Sequence, residues 1–161
     1  CVGNIYIGGT GKTPLCIEIY KIIKNLNKKP AFIKKKYNSF QDESNLLKKT
    51  GILFENKKRF NAILEAAEKK FDAGILDDGF QDLSIQKNFS IVCFNEKQWI
   101  GNGLTIPSGP LRESLSALDR ADCVVINGEK NNDIELPRKN GVIMLKINGP
   151  IFRPQIDGII Y

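Results

Sequence analysis

Residues 5–14 read Ile5-Tyr6-Ile7-Gly8-Gly9-Thr10-Gly11-Lys12-Thr13-Pro14, and their reading decides the fold. An apolar strand candidate runs into a glycine-rich turn, and Lys12-Thr13 opens a helix. That order builds a phosphate cradle. Glycines let successive N–H groups point at one anion, and the following helix adds free N–H groups and the positive end of its dipole. Lys12 is placed to reach the outer phosphates, and the Thr13 hydroxyl is placed to ligate magnesium. Nucleotide contacts are therefore expected from Tyr6, Ile7, Gly8, Gly9, Thr10, Gly11, Lys12 and Thr13. The usual spacing has a glycine five positions before Gly11, where this chain has Tyr6. The plainer alternative is a glycine-rich turn that holds nothing.

Downstream, Ala73-Gly74-Ile75-Leu76 leads into Asp77-Asp78. A hydrophobic strand that ends in acidic residues, following such a loop, is the layout of a Walker-B element. The aspartates would hold magnesium or its water shell opposite Thr13. Asp78-Gly79 is also good turn chemistry, so a simple strand-end turn competes with this reading.

Between and beyond these two points, strands alternate with helices. The expected strands are Val2–Ile7, Pro30–Ile33, Ile52–Phe54, Ala73–Leu76, Phe89–Phe94, Cys123–Ile126 and Gly141–Ile147. The first helix is expected over Lys12–Asn27, with Leu15, Ile19, Ile22, Ile23 and Leu26 on its inner face. Asp42 is expected to cap a short helix over Glu43–Lys49, turning Leu46 and Leu47 inward. Asn56 would cap another helix over Lys57–Lys70, with Phe60, Ile63, Leu64 and Ala67 on one side. Leu111–Arg120 reads as a helix, and Gly128–Lys139 as a polar loop. The segment Trp99–Arg112, rich in glycine and proline, reads as a functional loop. The alternation predicts an α/β fold, P-loop NTPase-like, with a mostly parallel sheet and helices on both faces. Ligands in such sheets bind at the carboxyl ends of the strands.

The 161 residues are enough for one domain with a real core, and 1–161 reads as a single nucleotide-binding domain. The net charge of +6 comes from lysine-rich stretches such as Lys34-Lys35-Lys36 and Lys57-Lys58-Arg59. These read as solvated surface or as a face for an anionic partner, such as a phosphorylated substrate or an acidic lipid surface. Nucleic acid is not expected, because no recognition helix or aromatic RNA motif accompanies them. The chain has no histidine, which excludes a His-based general base within this stretch. Its four cysteines form no CxxC pair and read as small buried hydrophobes in a reducing compartment. The first residue is Cys1, and the sequence reads as cut at its N-terminus.

Several unusual strings then occur in one order. Val2-Gly3-Asn4 precedes Gly8-Gly9-Thr10-Gly11-Lys12-Thr13-Pro14. Asp42-Glu43, Asp77-Asp78-Gly79-Phe80-Gln81, Gly101-Asn102-Gly103 and Pro107-Ser108-Gly109-Pro110-Leu111-Arg112-Glu113 follow, and finally Ala121-Asp122 leads to Asn127-Gly128. This resembles the N-terminal, nucleotide-binding part of the tetraacyldisaccharide 4′-kinases, the lipid A 4′-kinases. The resemblance implies ATP and magnesium as cofactors, and an acylated disaccharide phosphate, the lipid A precursor, as acceptor. It implies transfer of the γ-phosphoryl to the 4′-hydroxyl, at a membrane surface on the cytoplasmic face of the bacterial inner membrane. It also implies an N-terminal membrane-associating segment and a C-terminal subdomain beyond this chain. Asp42 matches the family's catalytic carboxylate, with Lys12 and Asp78 beside it in the chemistry. Thr13, Asp77 and Asp78 would hold the metal. Glu43, Gln81, Arg112 and Glu113 are further candidates. Tyr6 is consistent with the family.

Two departures stand out. The family has a Ser-Arg-Gly-Tyr-Gly-like string after the second strand, where this chain has Lys34-Lys35-Lys36-Tyr37-Asn38. The histidine that usually follows the DDGFQ string is Asp82 here. The competing readings are a P-loop NTPase acting as a switch or metallochaperone without a lipid substrate, and a truncated nucleotide-binding fragment without activity.

Overall fold

A computed structural model describes residues 1–37, 41–128, 143–147 and 154–155. The strands are β1 (Val2–Gly3), β2 (Pro30–Lys35), β3 (Leu53–Asn56), β4 (Ala73–Leu76), β5 (Ile91–Asn95), β6 (Cys123–Asn127), β7 (Ile143–Ile147) and β8 (Pro154–Gln155). The helices are α1 (Lys12–Asn25), α2 (Gln41–Thr50) and α3 (Arg59–Glu68), with a 3-10 helix at Leu115–Arg120. The fold is α/β. Contacts group the chain into two compact units, Cys1–Val2 with Thr13–Gln86, and Gly3–Lys12 with Lys87–Tyr161.

The first unit is built on a three-stranded sheet in the order β3-β2-β4, and both pairings are parallel. Central β2 is buried from Pro30 to Lys34, as expected for a strand covered on both faces. Alternate side chains of β2 point to opposite sides. Ala31 and Ile33 join Phe54, Leu76, and Ala62 and Ala66 of α3 in one core cluster. Phe32, on the other face, stacks on Tyr20 of α1 with ring centroids 4.6 Å apart. Helices α1 and α3 therefore cover opposite faces of this sheet. Burying a side chain such as Phe32 contributes about 1.5–3 kcal/mol.

Gly51, just after α2, sets the space available to that ring. A Cβ added there would lie 2.2 Å from Cζ of Tyr20. Gly51→Ala must displace Tyr20 from its stack on Phe32, an overpacking cost of about 2 kcal/mol. A lowered urea-unfolding midpoint would register it.

The five-stranded sheet has the order β1-β5-β6-β7-β8, and its strands β5 to β8 belong to the second unit. Strands β5, β6 and β7 run parallel in unbroken register, and β8 pairs antiparallel to β7. Val92, Cys93, Phe94 and Val124–Ile126 are buried, which matches their continuous apolar sequence.

Several expectations change. The strand predicted over Val2–Ile7 is only Val2–Gly3, because the backbone of Ile5–Ile7 turns to bond Pro110 and Arg112. On α1 the buried residues are Thr13, Leu15, Cys16 and Tyr20, while Ile22 and Leu26 are exposed. On α3 the buried face is Arg59, Ala62 and Ala66, and Phe60 and Leu64 face outward. On α2 Leu47 is buried and Leu46 is not. Asn56 ends β3; its Oδ1 accepts from the Lys58 N–H in a turn, and α3 starts without a side-chain cap. Asp42 lies inside the first turn of α2, which begins at Gln41. The helix expected at Leu111 starts at Leu115, because Leu111 instead bridges Tyr6 and Thr105. The predicted loop over 129–139 and residues 141–142 of the last strand lie outside the described residues.

Cys16, Cys93 and Cys123 are buried and unbridged, and Cys1 is half-buried. Burial, reinforced by the neighbouring Asp122 charge, pushes the Cys123 thiol up to about 11.

Candidate functional site

The glycine loop belongs to the second unit as far as Lys12. Gly8 and Gly11 have φ of +119° and +85°, which a side-chain-bearing residue adopts only with strain. A Cβ on Gly11 would also lie 2.8 Å from Nδ2 of Asn127, at the end of β6. Asn4, fully buried, donates from Nδ2 to the carbonyls of Tyr6 (2.6 Å) and Gly8 (3.3 Å) and so fixes the entry to the loop. The Thr10 hydroxyl is buried and has no hydrogen-bond partner among the described residues. Ile7, Gly8 and Gly9 are exposed, and helix α1 starts directly after Gly11. The loop is therefore exposed over Ile7, Gly8 and Gly9, shaped by two left-handed glycines, and followed directly by the N-terminus of α1.

The glycine- and proline-rich segment is drawn to the same loop. The N–H of Ile7 donates to the Pro110 carbonyl (3.0 Å), and that of Arg112 to the Ile5 carbonyl (2.7 Å). Tyr6, the residue at the odd spacing, pairs with Leu111 through its backbone. Arg112 is half-buried here, and Glu113 forms an ion pair with Arg120 at 2.6 Å.

In the first unit a compact ionic cluster surrounds Asp77, which is 1% exposed. The Thr13 hydroxyl donates to Asp77 Oδ2 over 3.4 Å, and the Cys16 thiol lies 3.8 Å from Oδ1. The ammonium of Lys34 donates to the same Oδ2 at 2.7 Å, and to Glu43 Oε2 at 2.5 Å. The register Phe32↔Ile75 and Ile33↔Leu76, continued one place, sets Lys34 opposite Asp77. Parity puts it on the α1 face, while Lys35 points outward and is exposed. Burial alone would pull the Lys34 pKa down. The Asp77 charge and the hydrogen bonds to Asp77 and Glu43 outweigh it, and the ammonium is held above its usual range.

Arg59 of α3 is the second buried cation. It donates to the carbonyls of Asp77 (3.3 Å) and Asp78 (2.9 Å), and to Asp82 Oδ2 (2.9 Å). Asp78 sits at φ +54°, so Arg59 braces a strained strand end. Asp78 and Gln81 are half-buried, and Asp42 is exposed beside Glu43.

Of the residues expected from sequence, Gly8–Lys12 and Arg112 lie in the second unit, where Arg112 bonds Ile5 at the entry to the loop. Thr13 and Asp77 meet in the first, and Glu43 joins them through Lys34. Lys34 and Arg59 are expected only as parts of charged stretches, and Asn4 and Asn127 stand in the family-like strings without a role of their own. Because Thr13 donates its proton to Asp77, its oxygen lone pairs stay available to a hard cation. Oδ2 of Asp77 takes Lys34 and Thr13, while Oδ1 faces the Cys16 thiol.

A family model described as tetraacyldisaccharide-1-P 4′-kinase matches residues 1–46 and 34–155. The chain belongs to the tetraacyldisaccharide 4′-kinase family. A tetraacyldisaccharide 4′-kinase of Pelagibacter ubique is 49% identical over 92% of this chain and 47% of its own length. One from Rickettsia canadensis is 34% identical over 91% of this chain and 51% of its own. The chain thus spans about half the length of the curated relatives it matches. A crystal structure of LpxK from Aquifex aeolicus in complex with ATP shares the fold, with a TM-score of 0.69 and 24% identity, over 90% of this chain and 52% of that one. No helix among the described residues is long and apolar enough to cross a membrane.

Proposed function

We propose that this chain is the nucleotide-handling part of a lipid kinase. It would move the γ-phosphoryl of ATP to the 4′-hydroxyl of an acylated disaccharide phosphate, the lipid A precursor, at the cytoplasmic face of the inner membrane. The observation that carries the reading is the Thr13 hydroxyl on buried Asp77, directly after an open loop with glycines at φ +119° and +85°, in a chain of this family.

Phosphoryl transfer asks the protein for positioning and charge neutralisation more than for covalent chemistry. The loop N–H groups and the start of α1 hold the phosphates. Lys12, the first residue of α1, neutralises charge that spreads onto the transferring oxygens. Thr13 would hold magnesium, with Asp77 orienting its hydroxyl and Asp78 close by. The ion, when bound, neutralises the phosphate oxygens. Asp42, exposed in the first turn of α2, would accept or orient the proton of the sugar hydroxyl.

The test gives the intact protein labelled ATP, magnesium and the acylated disaccharide phosphate, and follows labelled lipid. Transfer is expected. ATP hydrolysis without transfer would instead point to a nucleotide switch. Lys12→Ala should weaken ATP binding at least tenfold, read by calorimetry; unchanged binding would remove the cradle reading. Asp42→Ala should lower turnover about 100-fold while ATP affinity holds.

A further inference from the structure

Lys34 does more than balance the charge of Asp77. Its side chain is 4% exposed, yet it spans two carboxylates on different elements: Asp77 at the end of β4 and Glu43 in the first turn of α2. The strand ends below α2 form a short polar ladder. The register sets Lys34 beside Glu55 of β3. Glu43 of α2 takes Lys34, while Ser44 donates to Glu55 at 2.5 Å and Lys48 pairs with Glu55 at 2.8 Å. The rung formed by Lys34 and Glu43 is the one nearest the helix start. It is the rung joined to Asp77, and through Asp77 to Thr13.

We propose that Lys34 is a positioning residue: by bridging Asp77 and Glu43 it ties the first turn of α2, and the adjacent Asp42, to the strand end that orients Thr13. The proposal rests on the reading of Asp42 as the acceptor-facing carboxylate. A surface ion pair contributes little to stability because water screens it. This bridge differs in that its cation is buried and answers two anions, so its geometry is fixed by packing. Its consequence is local. Removing the outer anion leaves the buried Lys34–Asp77 pair intact and frees only the start of α2.

Glu43→Gln separates the possibilities, because the Glu43 side chain is 53% exposed and its loss threatens the fold little. Hydrogen exchange of the intact protein, read by mass spectrometry, should speed up about tenfold over residues 41–46 and stay unchanged over 30–35 and 73–76. Turnover should fall about tenfold with the KM for ATP and the urea midpoint unchanged, a split that a merely structural residue would not give. Unchanged exchange over 41–46 overturns the proposal, as does a parallel loss of turnover and ATP binding. Asp42→Asn is measured alongside. Wild-type turnover in that variant would overturn the reading of Asp42 itself, while the exchange data still decide whether Lys34 holds the helix.

Discussion

Asp77→Leu is expected to cost about 3–5 kcal/mol of stability, because it strands the Lys34 ammonium in a site that is 4% exposed. Asp77 is 1% exposed, and Glu43 on the outer side is a solvated partner that cannot supply the same compensation. The loss reflects an unpaired buried charge more than the net contribution of the ion pair. Adding Lys34→Met should therefore recover most of it, since two apolar side chains can fill the volume that the pair leaves. A double-mutant cycle by urea unfolding, followed by circular dichroism, reads both numbers. Equal, additive losses in the two single variants would show that the pair is not coupled. The pH dependence has a fixed sign. A lysine whose pKa is raised on folding contributes its stability fully below the ordinary lysine range and loses it as pH rises through the higher, folded value. From neutral to mildly alkaline pH the wild-type advantage over Lys34→Met should stay flat. It should shrink only at strongly alkaline pH.

The glycine loop was legible because its residues act through the backbone. Gly8 and Gly11 occupy left-handed φ values that few other residues take, so the string itself reports the conformation. The strands after it were legible as apolar runs, and Asp77 as the acid that ends one. The helix faces were less so. In α3 the alignment of Phe60 and Leu64 suggested an inner face, but the packed face carries Arg59, Ala62 and Ala66. Small side chains let that helix lie close on β2 and β3, and a guanidinium sits at its buried end. Of the expected residues Ile63 does pack against that core, but hydrophobicity alone does not point to two alanines and an arginine beside it. Lys34 was hidden for a similar reason. In the run Lys34-Lys35-Lys36 one residue points inward by strand parity, and composition registers only three solvated charges.

Lys34 and Asp82 both bear on the acidic strand end. Each is an ionic partner in the shell around Asp77 and Asp78: Lys34 on the Asp77 carboxylate, Asp82 on the guanidinium that holds both their carbonyls.

Arg59→Met should cost about 3 kcal/mol, close to the Asp77 effect and with a different signature in acid. The guanidinium answers two buried carbonyls and one carboxylate, and methionine can fill its stem but none of its donors. Asp78, at φ +54°, loses the bond that holds its carbonyl, so the strand end should relax toward an ordinary turn. Burial alone would raise the Asp82 pKa. The Ser84 hydroxyl, together with the bond and charge of Arg59, holds it below the usual carboxylate range. A carboxyl lowered on folding contributes stability above its unfolded pKa and loses it as pH falls through that value toward the folded one. Glu55 contributes on the same acid limb through Ser44 and Lys48, and it is untouched by this substitution. Wild type minus Arg59→Met, measured by urea unfolding from neutral pH down into the acid range, therefore isolates the Arg59 share. The difference should be largest near neutrality and narrow as Asp82 protonates. A constant gap across that range would mean that the guanidinium acts through the two carbonyls alone.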